Sequence, residues 1–252
     1  MKKPAATKKL TVLIPCYNEA KGIGAVLDKL PLKKLQHNHY KVDVIVIDNN
    51  SKDDTAKIAR AHGARVIHEP VKGKGNAMRT GFKAVSKDTD YVVMLDGDDT
   101  YDAGEITRMI EPLENRFCSV VIGSRLGGKM HNGAMRSFNR MGNWFFTHIV
   151  RVYYRVNVTD VLTGYFAWKK KNIDELLPHL VSEGFAIEME MITKMARLGH
   201  DIYSVPISYT PRSGETNLRP LYDGRRILQM YFRNFTWQPR RKLEVGDAGD
   251  NA

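Results

Sequence analysis

Four aspartates, Asp96, Asp98, Asp99 and Asp102, crowd into "YVVMLDGDDTYD" at 91–102, directly after five apolar or aromatic residues. Asp96 and Asp98 flank a glycine, which permits a tight turn and lets two carboxylates approach one hard divalent cation. Mg2+ usually takes one or two carboxylates and completes its shell with waters and phosphate oxygens. The acids stand against a formal net charge of +11, and carboxylates packed together need a cation to neutralise them. The chemistry implied is a metal held by Asp96 and Asp98, with a diphosphate held by the metal. A plainer role, capping the helix that starts near Ala103, suits Asp102. Two more segments, "PCYNE" (15–19) and "DNNS" (48–51), put polar groups at the ends of apolar runs.

Those runs predict the elements that must position the acids. "LTVLIPCYN" (10–18), "KVDVIVIDNNS" (41–51), "ARVIHEP" (64–70), the opening of 91–102 and "CSVVIGSR" (118–125) read as strands. Between them "EAKGIGAVLDKL", "SKDDTAKIARAHG", "GNAMRTGFKAVS" and "AGEITRMIEPLEN" have helical spacing, with Ser51 as a predicted N-cap and Gly63 as a stop. Continuous apolar strands alternating with helices predict an α/β fold: a Rossmann-like, mainly parallel sheet with helices on both faces. Ligands bind such sheets beyond the carboxyl ends of the strands. If the three acidic or polar ends are neighbours, they converge on one crevice. After Arg125 the alternation stops. "LGGKMHNGAMR" (126–136) reads as a glycine-rich loop, 137–156 as a very aromatic helix and 160–170 as a strand or a turn. A helix to Gly199, a last strand at 201–212 and a basic amphipathic helix at 218–235 follow.

Composition excludes several classes. Cys16 and Cys118 are the only cysteines, so a disulfide framework is not expected and a reducing cytosolic compartment fits. Cys16 reads as a small core residue. The eight histidines lack metal-ligand spacing. Residues 71–76 are not a Walker loop, because no Lys-Ser/Thr pair follows at the required distance. No apolar run approaches the ~18 residues of a membrane span, and "MKKPAATKK" lacks the apolar stretch of a secretory signal. The positive charge points to an anionic partner. Nucleic acid is disfavoured, since no zinc finger or aromatic RNA-binding motif occurs.

Taken in order, "VLIPCYNEAKGI", "VIVIDNNSKDDT", "GKGNAMRTGF", "VVMLDGDDTYD", "VIGSR", "TDVLTGYFAWKK", "GFAIEMEM" and "SYTPRSGETNL" resemble the family 2 glycosyltransferases of GT-A fold. Within that family the chain is similar to polyprenyl- (dolichyl-) phosphate mannosyl and glucosyl synthases. The pieces run from Val12 to Leu218.

The resemblance implies roles. Pro15, Tyr17 and Glu19 border the base and ribose of the donor, and Asp48 takes the base or ribose edge. Lys74 approaches the donor's phosphates or ribose. Asp96 and Asp98 are the D-x-D pair for Mg2+ or Mn2+. Arg125 and Arg136 meet the acceptor phosphate, and Arg212 and Arg219 are candidates to clamp phosphate from the loop after the last strand. Asp160 sits near the anomeric carbon, and Glu188 lines the sugar end. The implied reaction is inverting transfer of a hexose from GDP-mannose, UDP-glucose or a UDP-N-acetylhexosamine to a polyprenyl phosphate. An ionised phosphate nucleophile needs no strong general base, so Asp160 is expected to orient the acceptor or stabilise charge on the sugar. Two departures stand out. The last loop reads "SGETNL" where many relatives carry Ser-Lys, and the C-terminal membrane helices of many relatives have no counterpart in this sequence.

The expected organisation is a disordered basic start (1–9), a GT-A domain (10–218), a basic amphipathic membrane-surface helix (219–242) and a disordered tail (243–252). In the terminal helix Leu221, Leu228, Tyr231, Phe232 and Phe235 form the apolar stripe. Arg225, Arg226 and Arg233, followed by Arg240, Arg241 and Lys242, supply charge for an anionic membrane. The expected location is therefore peripheral, on the cytoplasmic face of a membrane, with a membrane-anchoring partner as a further option. A soluble or polysaccharide acceptor, and more remotely a basic nucleic-acid-binding protein, are the alternatives.

Overall fold

The computed structural model describes residues 6–214 and 216–239. Seven strands form one sheet: β1 (Lys8–Cys16), β2 (Tyr40–Asp48), β3 (Arg65–His68), β4 (Tyr91–Met94), β5 (Val120–Met130), β6 (Phe166–Lys169) and β7 (Ile202–Tyr209). Their order is β3-β2-β1-β4-β6-β5-β7. All run parallel except β6, which pairs antiparallel with both β4 and β5. Because β6 is reversed, the residues that precede it arrive at the same sheet edge as the carboxyl end of β4.

Alternate strand residues feed two cores, as the period of two along a strand requires. Leu13, Ile45, Ile47, Val92, Met94, Ile122 and Trp168 face one side. There they meet α4 (Lys74–Ala84), α6 (Ser137–Tyr154), α7 (Lys170–Leu176), α8 (Ile187–Arg197) and α9 (Pro220–Phe235). Val12, Ile14, Val46, Val93, Val121 and Ile207 face the other side. There they meet α1 (Ile23–Lys29), α2 (Leu32–His37), α3 (Thr55–Ala61) and α5 (Ile106–Glu114). Both faces are covered, which is why the central strands carry almost no polar side chains.

Four local expectations change. β1 begins at Lys8, inside the stretch read as disordered. Ser51 does not cap α3; Asp54 holds that position, and the Ser51 hydroxyl instead accepts the Asn18 amide at 3.0 Å. β5 continues to Met130 through the segment read as a loop. Its pairing with β7 shifts between Ser124 and Lys129, and a side chain at Gly128 would strike the Ile207 backbone. The absence of a Cβ lets the backbones approach closely at this irregularity, so that pairing resumes at Lys129. Finally, the apolar stripe of α9 is divided. Ile227, Met230 and Tyr231 are buried in the core with α8 and α6, whereas Leu221, Tyr222 and Phe232 are exposed. The helix thus packs on the domain and presents only part of the stripe outward. Arg240, Arg241, Lys242 and the tail lie outside the described residues. No described helix is long and apolar enough to cross a membrane.

Candidate active site

β2, β1 and β4 are neighbours, so the three polar strand ends do share one edge. Each turns there through a left-handed residue: Asn18 (φ 55°), Asn50 (φ 62°) and Asp99 (φ 63°). Asn and Asp tolerate that conformation better than other side-chain-bearing residues. Asn18 and Ser51 cross-link the first two turns, with the Asn18 side-chain oxygen accepting the Lys52 amide at 2.8 Å. Gly97 sits against β1: a Cβ there would collide with the Cys16 sulfur. A similar collision with the Asp96 carboxylate requires glycine at 164. Small residues on both sides thereby seat the Asp96-Gly97-Asp98 turn between β1 and the loop before β6.

A cleft of about 940 Å³ opens over this edge. Its lining includes Glu19, Asp96, Asp98 and Glu188, and two cations stand among them. Lys74, at the start of α4, bridges Asp96 and Glu188 at 2.7 Å each. Burial works against its charge, but Asp96 and Glu188 outweigh that and raise its pKa. Arg212 pairs with Asp98 and approaches Glu19 at 3.5 Å. Burial pushes the Glu19 carboxyl up to about 8, with Asp98 and Asp96 adding to the rise and Arg212 opposing it. Burial likewise raises Glu188, against the pull of Lys74. The loop bearing Arg212 is stapled to the acidic turn: the Thr210 hydroxyl donates to the Asp99 carbonyl at 3.0 Å and the Thr210 amide to that of Thr100 at 2.9 Å.

The donor set suits a hard divalent ion. Asp96 and Asp98 offer oxygen ligands at the cleft floor, and the positive charge they need is at present supplied by the tips of Lys74 and Arg212. Among the described residues no group of three His, Cys, Asp or Glu side chains is arranged to hold an ion by itself. A pair of carboxylates completed by phosphate oxygens and water is the arrangement Mg2+ commonly uses.

Deeper in, Arg125 and Asp160 form a bidentate pair. Nε and Nη2 of Arg125 donate to the two carboxylate oxygens at 2.8 Å each, and the Arg125 backbone amide adds a third bond at 2.9 Å. The Asn143 amide supplies a fourth, at 2.6 Å. Asp160 is fully buried. Its lone pairs are spent on holding Arg125, so it stands behind the arginine rather than at the cleft surface. Burial opposes the Arg125 charge, yet Asp160 raises its pKa well above normal. Arg125 lines the cleft and lies over the Tyr209 ring.

Of the other expected residues, Pro15, Tyr17 and Glu19 line the cleft, with Lys72 4.2 Å above the Tyr17 ring. Asp48 does not line it; its carboxylate accepts the Ser51 amide and faces His68 at 3.3 Å. Arg136 lines the cleft from the start of α6 and is exposed. Arg219 is exposed at the start of α9 and is not a lining residue. Asp102 caps the short turn after β4, accepting the Gly104 amide. Three residues went unanticipated. Asn143 holds Asp160. Asn49 ties the 69–73 loop to β2 through Glu69, Val71 and Gly73. The Tyr101 hydroxyl accepts the Gly164 amide at 2.6 Å. A polar amide inside an aromatic helix was the available signal for Asn143.

Residues 11–177 match the family described as Glycosyl transferase family 2. Glycosyltransferase AglJ of Haloferax volcanii is 36% identical over 231 residues, covering 90% of this chain and 73% of that protein. A dolichyl-phosphate hexose transferase of the same organism is 32% identical, covering 86% and 90%. An undecaprenyl-phosphate mannosyltransferase of Micrococcus luteus is 30% identical, covering 83% and 87%. Among solved structures, glucosyl-3-phosphoglycerate synthase of Mycobacterium tuberculosis with Mn2+, UDP and glucosyl-3-phosphoglycerate superposes with a TM-score of 0.70 at 23% identity. It covers 93% of this chain and 82% of that one.

Proposed function

The chain belongs to glycosyl transferase family 2, and on that premise we propose that it transfers a hexose from a nucleoside diphosphate sugar to a polyprenyl phosphate, with inversion. The observation that carries the proposal is the mixed lining of one cleft. Carboxylates and their cations, the apolar side chains of Phe138, Phe146, Phe185 and Ile227, and the arginines Arg125 and Arg136 all line it. That combination suits an anionic donor, an anionic acceptor head and an apolar tail. Relatives named for dolichyl phosphate and undecaprenyl phosphate support the acceptor class.

Asp96 and Asp98 would hold the divalent ion, whose chemistry is to neutralise charge on the departing diphosphate. The M. tuberculosis synthase, solved in complex with Mn2+ and UDP, supports that use of a metal. An acceptor phosphate oxygen forms the new bond to the anomeric carbon as the sugar–diphosphate bond breaks, and the nucleoside diphosphate leaves with the electron pair. No proton has to be removed from the nucleophile, which is why a fully committed Asp160 is compatible with the reaction. Its role here is to fix Arg125, whose planar guanidinium then meets phosphate in one orientation. Lys74 stands between the Asp96 carboxylate and Glu188, so it is placed to follow charge from the donor phosphates towards the sugar. Arg212 is placed to turn from Asp98 to phosphate once the floor carries its metal. Tyr17 and Lys72 frame the base. The protein is proposed to work at a membrane surface on its cytoplasmic side, where the acceptor's tail resides.

The test is a screen of GDP-mannose, UDP-glucose and UDP-N-acetylhexosamines against polyprenyl phosphate, with and without EDTA. Transfer that needs the lipid phosphate and is lost in EDTA is expected. Transfer to sugars or glycans alone would redirect the acceptor assignment.

A further inference from the structure

The cleft lining includes two helix glycines with no structural reason to be glycine. Gly142 lies within α6 and Gly224 within α9, and both line the cleft beside Phe138, Phe146 and Ile227. Neither has a positive φ. A Cβ added at either would find no atom within 4 Å. Glycine inside a helix weakens it relative to any ordinary residue except proline. At Gly75, Gly97 and Gly164 the same test gives the opposite answer, since a side chain there would collide with a neighbour. Space at positions 142 and 224 is therefore left open rather than filled by the protein.

α6 and α9 pack against each other through Tyr153 and Tyr154 against Tyr231 and Phe235, and nearer the start of each helix Gly142 and Gly224 line one cleft. We infer that Gly142 and Gly224 keep a slot between α6 and α9 that receives the polyisoprenoid chain of the acceptor. The occupant follows from continuity and charge. The slot belongs to the cleft that Arg125 and Arg136 also line, so a ligand filling both has an anionic head and a long apolar tail. This inference rests on the polyprenyl phosphate reading above and adds the path of the chain and the two residues that set how much of it can enter.

The experiment uses the full chain carrying Gly142→Leu or Gly224→Leu, with Gly142→Ala and Gly224→Ala as milder companions. Thermal midpoints are recorded, and KM and kcat are measured with farnesyl phosphate and with undecaprenyl phosphate at saturating donor. Leucine favours a helix more than glycine does, so the midpoint should be equal or higher. KM for undecaprenyl phosphate should rise at least about tenfold, equivalent to about 1.4 kcal/mol. The loss on farnesyl phosphate should be several-fold smaller, because a short chain reaches less of the slot. Folded leucine variants with equal losses on both acceptors, or no loss on either, would overturn the slot while leaving the acceptor class standing. If a leucine variant fails to fold, the alanine variant decides: a smaller rise confined to the long chain supports the slot, and an unchanged KM overturns it. A wild-type protein that ignores both lipids but glycosylates a soluble phosphorylated acceptor would overturn the acceptor reading and the slot together.

Discussion

Replacing Asp160 by asparagine should cripple the protein by stranding a cation, not by removing a base. Asp160 accepts four hydrogen bonds, three of them from Arg125 and one from Asn143. An amide in its place presents an NH2 to donors on one side and removes the one carboxylate, among the described residues, within ion-pair distance of the guanidinium. Breaking a buried pair by removing one partner costs about 3–5 kcal/mol. At roughly 2–4 °C per kcal/mol for a chain of this size, the thermal midpoint should fall by about 6–20 °C. The assay is differential scanning fluorimetry of Asp160→Asn beside Arg125→Met and the double variant Arg125→Met/Asp160→Leu. The double variant should recover much of the lost stability, because apolar groups of similar volume often replace a buried pair without penalty. It should not recover transfer. A pH–rate profile for residual Asp160→Asn activity should keep the wild-type shape, since no titrating base has been lost. An Asp160→Asn midpoint within 2 °C of wild type, or a rate profile that loses its acidic limb, would refute this reasoning.

Asp98→Ala should abolish transfer and weaken Mn2+-dependent binding of nucleoside diphosphate, read by calorimetry with and without the metal. Normal turnover in a metal-free assay would remove the D-x-D role. Glu19 has a folded pKa raised from 4.5 to about 8, so its proton is favoured by folding and its contribution is present at low pH and lost as pH rises from about 4.5 through 8. Without metal or donor, the wild-type midpoint should therefore fall across that window, and Glu19→Gln should flatten the curve. Lys74→Met leaves Asp96 and buried Glu188 facing each other, so its midpoint should drop more at pH 8 than at pH 5, and equal drops would count against the bridge. Arg225, Arg226 and Arg233 are exposed on α9; changing all three to Glu should release the protein from anionic vesicles in sedimentation, with unchanged pelleting ending the membrane assignment for that face.

The sheet and its acidic edge were legible because they depend on short-range patterns. Val and Ile runs ending in "DNNS" and "DGDD" report both burial and the point where burial stops. The Arg125–Asp160 pair was not legible, since 35 residues separate its members and their meeting depends on β6 running backwards between β4 and β5. Pattern alone does not give strand direction. Both residues had been placed near the reaction, but as independent contacts. α9 shows a different limit. Helical periodicity locates an apolar arc, but it does not say that Tyr231 turns to the core while Phe232 turns to solvent. Periodicity singles out neither Gly142 nor Gly224; the open space beside them does.

The reversed strand also constrains the order in which the chain can be completed during synthesis. β1, β2, β3 and β4 can assemble as soon as they leave the ribosome, but β4 keeps a bare hydrogen-bonding edge until the chain has reached Phe166. β5 is made earlier and cannot cover it, because β6 must lie between them. An unprotected edge invites pairing with another nascent copy. The 120–169 stretch is thus where chaperone demand and misassembly should concentrate, and where a pause in translation would be most costly to yield.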